Sequence, residues 1–230
     1  MKLFFTTALV LGLAVSSQAN VIRFLPFGDS ITAGGYNEND QWKIGGGYRE
    51  FFYKRLKEDN RYFDVVGSLA DGPQNMDRDH EGHSGWSIAQ LDAIAEEVIK
   101  RHNPEVVMLM IGTNNIVKNM NLPQAPQRLL ALVRKLSALK PSMRIIVSSL
   151  LTTDDVIFNR RVVNFNAAID ALIHEEMKTN ANLFWFDAYW ESGIGANRVD
   201  LIDGVHPSAI GYQKLGNAWF KAIQPVLYQR

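Results

Sequence analysis

The chain has 230 residues, 24 Lys and Arg against 24 Asp and Glu, and no cysteine. With no basic excess to neutralise phosphates, nucleic acid is not expected as a partner. Without cysteine there are no disulfides, thiolate metal sites or cysteine nucleophiles, so stability has to come from core packing.

Residues 1–19 read as a removable leader. Met1-Lys2 gives a positive start, the stretch from Leu3 to Val15 is mostly apolar, and Ser17-Gln18-Ala19 has the small-x-small form of a cleavage site. That stretch is too short for a membrane span and no later one qualifies. The expectation is a secreted or periplasmic protein of residues 20–230, with no membrane contact once the leader is gone. About 210 residues suit one domain with a full hydrophobic core.

Short apolar runs then alternate with segments of helical period. Strands are predicted at 21–27, 63–67, 106–111, 144–150 and 183–186, and helices at 48–58, 88–102, 124–139, 161–178 and 209–228. This alternation implies right-handed βαβ units, hence an α/β protein of three layers, α/β/α. The run Val106-Val-Met-Leu-Met-Ile111 is apolar without alternation, as a central parallel strand covered on both faces should be. Five parallel strands fit a flavodoxin-like order, 2-1-3-4-5. No repeat, low-complexity tract or long linker interrupts the pattern, so residues 20–230 are expected to form a single domain. The least regular stretches are 34–47, 69–87, 151–159 and 188–205. Three of them follow a strand or its first turn, which gathers them on one rim of the sheet, the usual place for a site.

The first predicted strand stops at Gly28-Asp29-Ser30. A serine at the C-terminal end of a strand stands where ligands collect in α/β proteins. Asp and Ser there read equally well as a helix cap. A nucleophilic serine needs a base, and Asp203-Gly-Val-His206-Pro207 offers one: an imidazole whose far nitrogen a carboxylate three residues away can hold. Pro207 keeps His206 out of helical geometry, and Ser208 can cap the last helix. Two further segments can supply donors to a developing oxyanion: Gly112-Thr113-Asn114-Asn115 after the central strand, and His83-Ser84-Gly85-Trp86 before a helix.

Gly28-Asp29-Ser30, Gly85, Gly112-x-Asn114 and Asp203-x-x-His206 resemble, in order and spacing, the four blocks of the SGNH (GDSL-type) hydrolases. The resemblance spans nearly all of residues 20–230. It implies the SGNH hydrolase fold, with Ser30 as nucleophile, His206 as base and Asp203 as its orienting acid. It also implies an oxyanion hole made by the Ser30 and Gly85 N–H groups and the Asn114 amide. Asn115 departs from the pattern, the family commonly having Asp there, which bears on a local hydrogen bond rather than on the chemistry. Val65-Val-Gly67-Ser68, Gly46-Gly-Tyr48-Arg49 and the run from Asp79 to Trp86 look like the carbohydrate esterase branch that includes acetyl xylan esterases, family 3.

Other residues compete for attention. Gly82-His-Ser84-Gly85 nearly spells a nucleophile elbow, but its second glycine comes one position early. Gly45-Gly-Gly47 lacks the ending of a phosphate loop and reads as a rim loop or helix entry. Asp187 could rival Asp203 for His206, and is read as structural. His80, Glu81 and His83, with Asp77 and Asp79, form a cluster that could be read as a metal site: the spacing is weak evidence for zinc, and a structural calcium held by residues 71–81 stays open; no catalytic metal is expected. Trp42, Trp86, Tyr189 and Trp190 fall in the rim stretches and suit a sugar surface; Trp86, Asn115, Tyr189 and Trp190 are the candidate substrate contacts.

The expected function is a cofactor-free, monomeric serine esterase that removes short acyl groups, acetyl above all, from a polysaccharide or oligosaccharide such as acetylated xylan. The alternatives are a lysophospholipase or thioesterase on the same fold and a carbohydrate-binding module without catalysis.

Overall fold

The computed structural model describes residues 21–38, 41–59 and 62–228. The expected leader lies outside these residues. Each predicted apolar run forms a strand, and the alternation of side chains across it decides which helices it meets. In β1 (Ile22–Gly28), Phe24 joins one core while Leu25 and Phe27 join the other. In β7 (Val106–Met110), Val106, Met108 and Met110 face the first core and Val107 and Leu109 the second, so every residue is buried. Helices α2 (Gly47–Glu58) and α8 (Ala209–Tyr228) cover the first face. The second face is covered by α3 (Ile88–His102), α5 (Ala125–Leu139) and α6 (Val156–Met177). The result is the expected α/β/α sandwich.

Strands β8 (Arg144–Ser148) and β9 (Leu183–Phe186) continue the parallel sheet beyond β7, with β9 at the edge. On the other side of β1 the structure differs from expectation. The second position is shared by two strands in succession: β4 (Phe63–Val65) pairs with the start of β1, and β6 (Asp79–Gly82) with its end. The polar sequence of β6 carries no apolar run and so gives no strand signal of its own. It is strand because the end of β1 exposes backbone groups that need partners, and a two-residue strand, β5 (Leu69–Ala70), pairs antiparallel on its outer side.

Two more differences lie on the rim. Part of the stretch 34–47 is a hairpin, β2 (Gly35–Glu38) with β3 (Gln41–Ile44). Gly46 and Gly47 are indeed a helix entry, into α2. Helix α6 starts five residues earlier than predicted, because the Asp155 carboxylate accepts the N–H groups of Ile157 and Phe158. Among the described residues no helix is long and apolar enough to cross a membrane.

Candidate active site

Gly28 ends β1 in contact with the Met110 carbonyl and Thr32, leaving no space for a side chain. The next residue, Asp29, caps the four-residue helix α1 (Ser30–Ala33) by accepting the Ile31 N–H at 3.0 Å. Asp29 is the cap, and Ser30 opens the helix. Its N–H is one of those that a first helical turn leaves without an intrahelical partner.

Ser30 Oγ lies 2.9 Å from His206 Nε2, across 176 residues of sequence. On the other side of the ring, His206 Nδ1 is 2.7 Å from Asp203 Oδ2. The second carboxylate oxygen of Asp203 accepts the backbone N–H groups of Val205 and His206, at 3.0 and 2.8 Å. One aspartate thus shapes the turn and orients the ring that the turn carries. Burial pushes the Asp203 carboxyl up, but these hydrogen bonds and the His206 charge outweigh it and hold it at about 2. Gly204 takes φ +92°, a conformation that L side chains rarely adopt, and its carbonyl accepts the Asp154 N–H. Ser208 caps α8 as expected, accepting the Gly211 N–H at 3.2 Å.

Asn114 belongs to α4 (Thr113–Val117), directly after β7 and Gly112. Its Nδ2 donates to the Trp86 carbonyl at 3.0 Å, which fixes the amide and leaves its second N–H for the cavity. That cavity, about 320 Å³, is lined by Ser30, Asn37, Thr113, Asn114, Val117, Asp203, Val205 and His206. Gly85, at φ +81°, is not among these lining residues; its carbonyl accepts Lys118 Nζ at 2.8 Å. A larger depression, about 500 Å³, lies around Gly34, Tyr36, Phe51 and Pro207 and shares no lining residue with the first. A hydroxyl bonded to an imidazole that a carboxylate steadies is an arrangement able to pass its proton to the ring and attack a carbonyl. Thr113 lies in the segment expected to supply oxyanion donors, whereas nothing in the residues around Asn37 announces that its hairpin folds toward Ser30.

Two neighbours condition the pair. The Trp42 ring meets the His206 ring edge-on, centroids 4.9 Å apart, while remaining 45% exposed. Beneath Ser30, Asp29 is fully buried and its Oδ2 has no hydrogen-bond partner. The Thr113 hydroxyl faces this carboxylate without reaching hydrogen-bonding geometry. Burial raises the Asp29 carboxyl to about 6, against the opposing pull of the Ile31 N–H and the His206 charge.

The His80–His83 cluster is knit into hydrogen bonds within the fold. His80, driven down to about 3 by burial and the nearby Arg49 charge, pairs with Asp71 at 3.2 Å; His83 donates to Glu81 at 2.7 Å and stacks on Trp86. Among the described residues no group of three or more His, Asp and Glu side chains is placed to hold an ion. The carbonyls of Asp71 and Arg78 accept instead from the guanidinium of Arg49, which is only 2% exposed. Arg49 also binds the carbonyls of Thr32 and Ala33, so it clamps the end of the helix that presents Ser30.

None of the four expected substrate contacts lines the Ser30 cavity. Asn115 is 2% exposed: its Oδ1 accepts the Ile88 N–H and its Nδ2 donates to the Met120 carbonyl, so it ties α3 to α4. An Asp there could not make the second bond. Tyr189 and Trp190 line a separate depression beside α6. Trp86 packs on His83 and supplies the carbonyl that holds Asn114. Asp187 accepts the Ser149 hydroxyl at 2.9 Å and does not compete for His206. Ser84 is exposed in the turn before α3.

Residues 27–214 match the family described as GDSL-like lipase/acylhydrolase. A multidomain esterase of Ruminococcus flavefaciens is 31% identical over 243 residues, which cover 93% of this chain; the chain spans 30% of that relative's length. The solved structure of a family 3 carbohydrate esterase from Clostridium thermocellum is 32% identical with a TM-score of 0.77, over 90% of this chain and 98% of the other. A family 3 carbohydrate esterase from Talaromyces cellulolyticus shares the fold at the same TM-score, 23% identical, over 91% of this chain and all of that one. With the matched region running from the end of β1 past His206, the chain belongs to the GDSL-like lipase/acylhydrolase family.

Proposed function

We propose that the protein is an exported serine esterase that removes acetyl groups from a polysaccharide, with Ser30, His206 and Asp203 as its catalytic triad. The observation that carries this reading is the unbroken hydrogen-bonded line Ser30 Oγ, His206 Nε2, His206 Nδ1 and Asp203 Oδ2, at 2.9 and 2.7 Å. Ser30 Oγ attacks the ester carbonyl as its proton passes to His206 Nε2, and Asp203 stabilises the imidazolium. The oxyanion is held by the Ser30 N–H, the Gly85 N–H and the second N–H of Asn114. Collapse expels the sugar oxygen, which takes the proton from His206. Water then repeats the sequence on the acetyl-enzyme, releasing acetate and restoring Ser30. No step needs a cofactor.

The sugar ester as substrate is supported by the 32% identical carbohydrate esterase and by the exposed Trp42 beside His206. A short acyl group suits a small cavity of about 320 Å³. Export is supported by the pattern of residues 1–19. The test measures acetate released from acetylated xylan beside acetylated chitin, p-nitrophenyl acetate and p-nitrophenyl decanoate, with fluorophosphonate labelling of wild type and Ser30→Ala. Acetate release and labelling confined to the wild type are expected. A strong preference for the decanoate, or labelling that survives Ser30→Ala, overturns the reading.

A further inference from the structure

The depression that holds Tyr189 and Trp190 lies between α6 and the corner where β9 passes into α7 (Ala188–Glu191). It encloses about 210 Å³ and its walls include Trp185, Asp170 and Asp187. Trp190 is 76% exposed and forms, with Tyr189, an aromatic wall of the depression that is open to solvent. Its neighbour is held firmly: the Tyr189 ring meets it edge-on at 5.0 Å, the Tyr189 N–H donates to Ser149 Oγ, and the Tyr189 hydroxyl accepts from Asn159. A flat ring on a fixed corner, with carboxylates beside it, matches the two surfaces of a pyranose: its C–H face packs on aromatic carbon and its hydroxyls donate to carboxylate oxygens. The carboxylates disfavour an anionic lipid surface.

Its position relative to Ser30 follows from the sheet. Ser30 follows β1, Tyr189 follows β9, and the order β1-β7-β8-β9 puts three strand spacings between them, about 14 Å. The rim between is continuous: Asp154 binds the Gly204 carbonyl next to Asp203, Thr153 binds Asn159, and Asn159 binds Tyr189. A small ester in the Ser30 cavity does not reach the depression, whereas a polysaccharide crossing the rim does.

We propose that this depression is a distal binding subsite for a pyranose unit of a polysaccharide whose acetylated residue sits at Ser30. The inference rests on the polysaccharide reading above and adds to it a preference for long chains. Trp190→Ala, a change at an exposed ring, is compared with wild type by thermal melting and by kcat/KM on acetylated xylan and on p-nitrophenyl acetate. The ratio of the two kcat/KM values is expected to fall about fivefold to tenfold, through KM for the polymer, the loss of one aromatic contact. In native gels containing soluble arabinoxylan, Ser30→Ala protein is expected to be retarded, and the Ser30→Ala/Trp190→Ala protein to run freely. A ratio within twofold of wild type, no retardation, or retardation that survives Trp190→Ala overturns the subsite. Wild type that hydrolyses p-nitrophenyl acetate but no polysaccharide overturns the polysaccharide reading instead, and the gels then decide the subsite alone.

Discussion

Replacing Asp29 by Asn removes a charge that the fold holds at a cost. The carboxyl is fully buried, one oxygen lacks a partner, and burial raises it from 3.8 to about 6. A carboxyl that binds its proton more tightly in the folded protein than in the unfolded chain loses stability for the fold as pH rises. Below about pH 3.8 both states are protonated and the penalty vanishes; it accumulates up to about pH 6 and is complete above. Two pH units correspond to about 3 kcal/mol at 1.36 kcal/mol per unit, a ceiling on the gain. Asparagine keeps the oxygen that accepts the Ile31 N–H and turns an amide toward the Thr113 hydroxyl, which can accept. At roughly 2–4 °C per kcal/mol for a chain of this size, Tm at pH 7.5 rises by up to about 6–12 °C. At pH 4 the two proteins melt together. The assay is thermal melting from pH 4 to 8, run beside turnover of p-nitrophenyl acetate, where kcat falls because His206 loses a nearby negative charge. A Tm difference that is flat across this range, or a wild type more stable than the variant at pH 7.5, refutes the reasoning.

Asn114→Ala is expected to lower kcat on p-nitrophenyl acetate by roughly 10²–10³, with a smaller loss of stability, about 1 kcal/mol, from the freed Trp86 carbonyl; unchanged kcat removes Asn114 from the oxyanion hole. Asn115→Ala leaves the buried Ile88 N–H without its acceptor and should destabilise by about 1–3 kcal/mol while the folded fraction turns over as before. Melting and active-site titration separate these effects, and a stable but inactive Asn115→Ala would place the residue in the chemistry after all. Trp42→Ala is expected to reduce kcat more than it changes KM for p-nitrophenyl acetate, because it uncovers the His206 ring at little expense in folding; Trp42→Phe should recover most of the loss, and a Phe variant no better than Ala shows that ring contact is not what Trp42 provides.

What the chain determined by itself was whatever depends on near neighbours in sequence. Period and apolar runs placed the parallel strands and long helices, because each run must be buried on faces that its own spacing defines. Asp203 and His206 were legible for the same reason, being three residues apart on one turn, and Ser208 announced its cap. Tertiary structure alone decided what depends on distant segments. That Ser30 Oγ reaches His206 is settled by β1 and α8 packing into one sandwich, not by any local signal. The polar run 79–82 became a strand only because the end of β1 lacked partners. Asn115 became a buried tie rather than a substrate contact because α3 brings the Ile88 N–H to it. Local sequence fixes which groups are available and how each segment turns; convergence across the rim is set by the packing of strands and helices far apart in the chain.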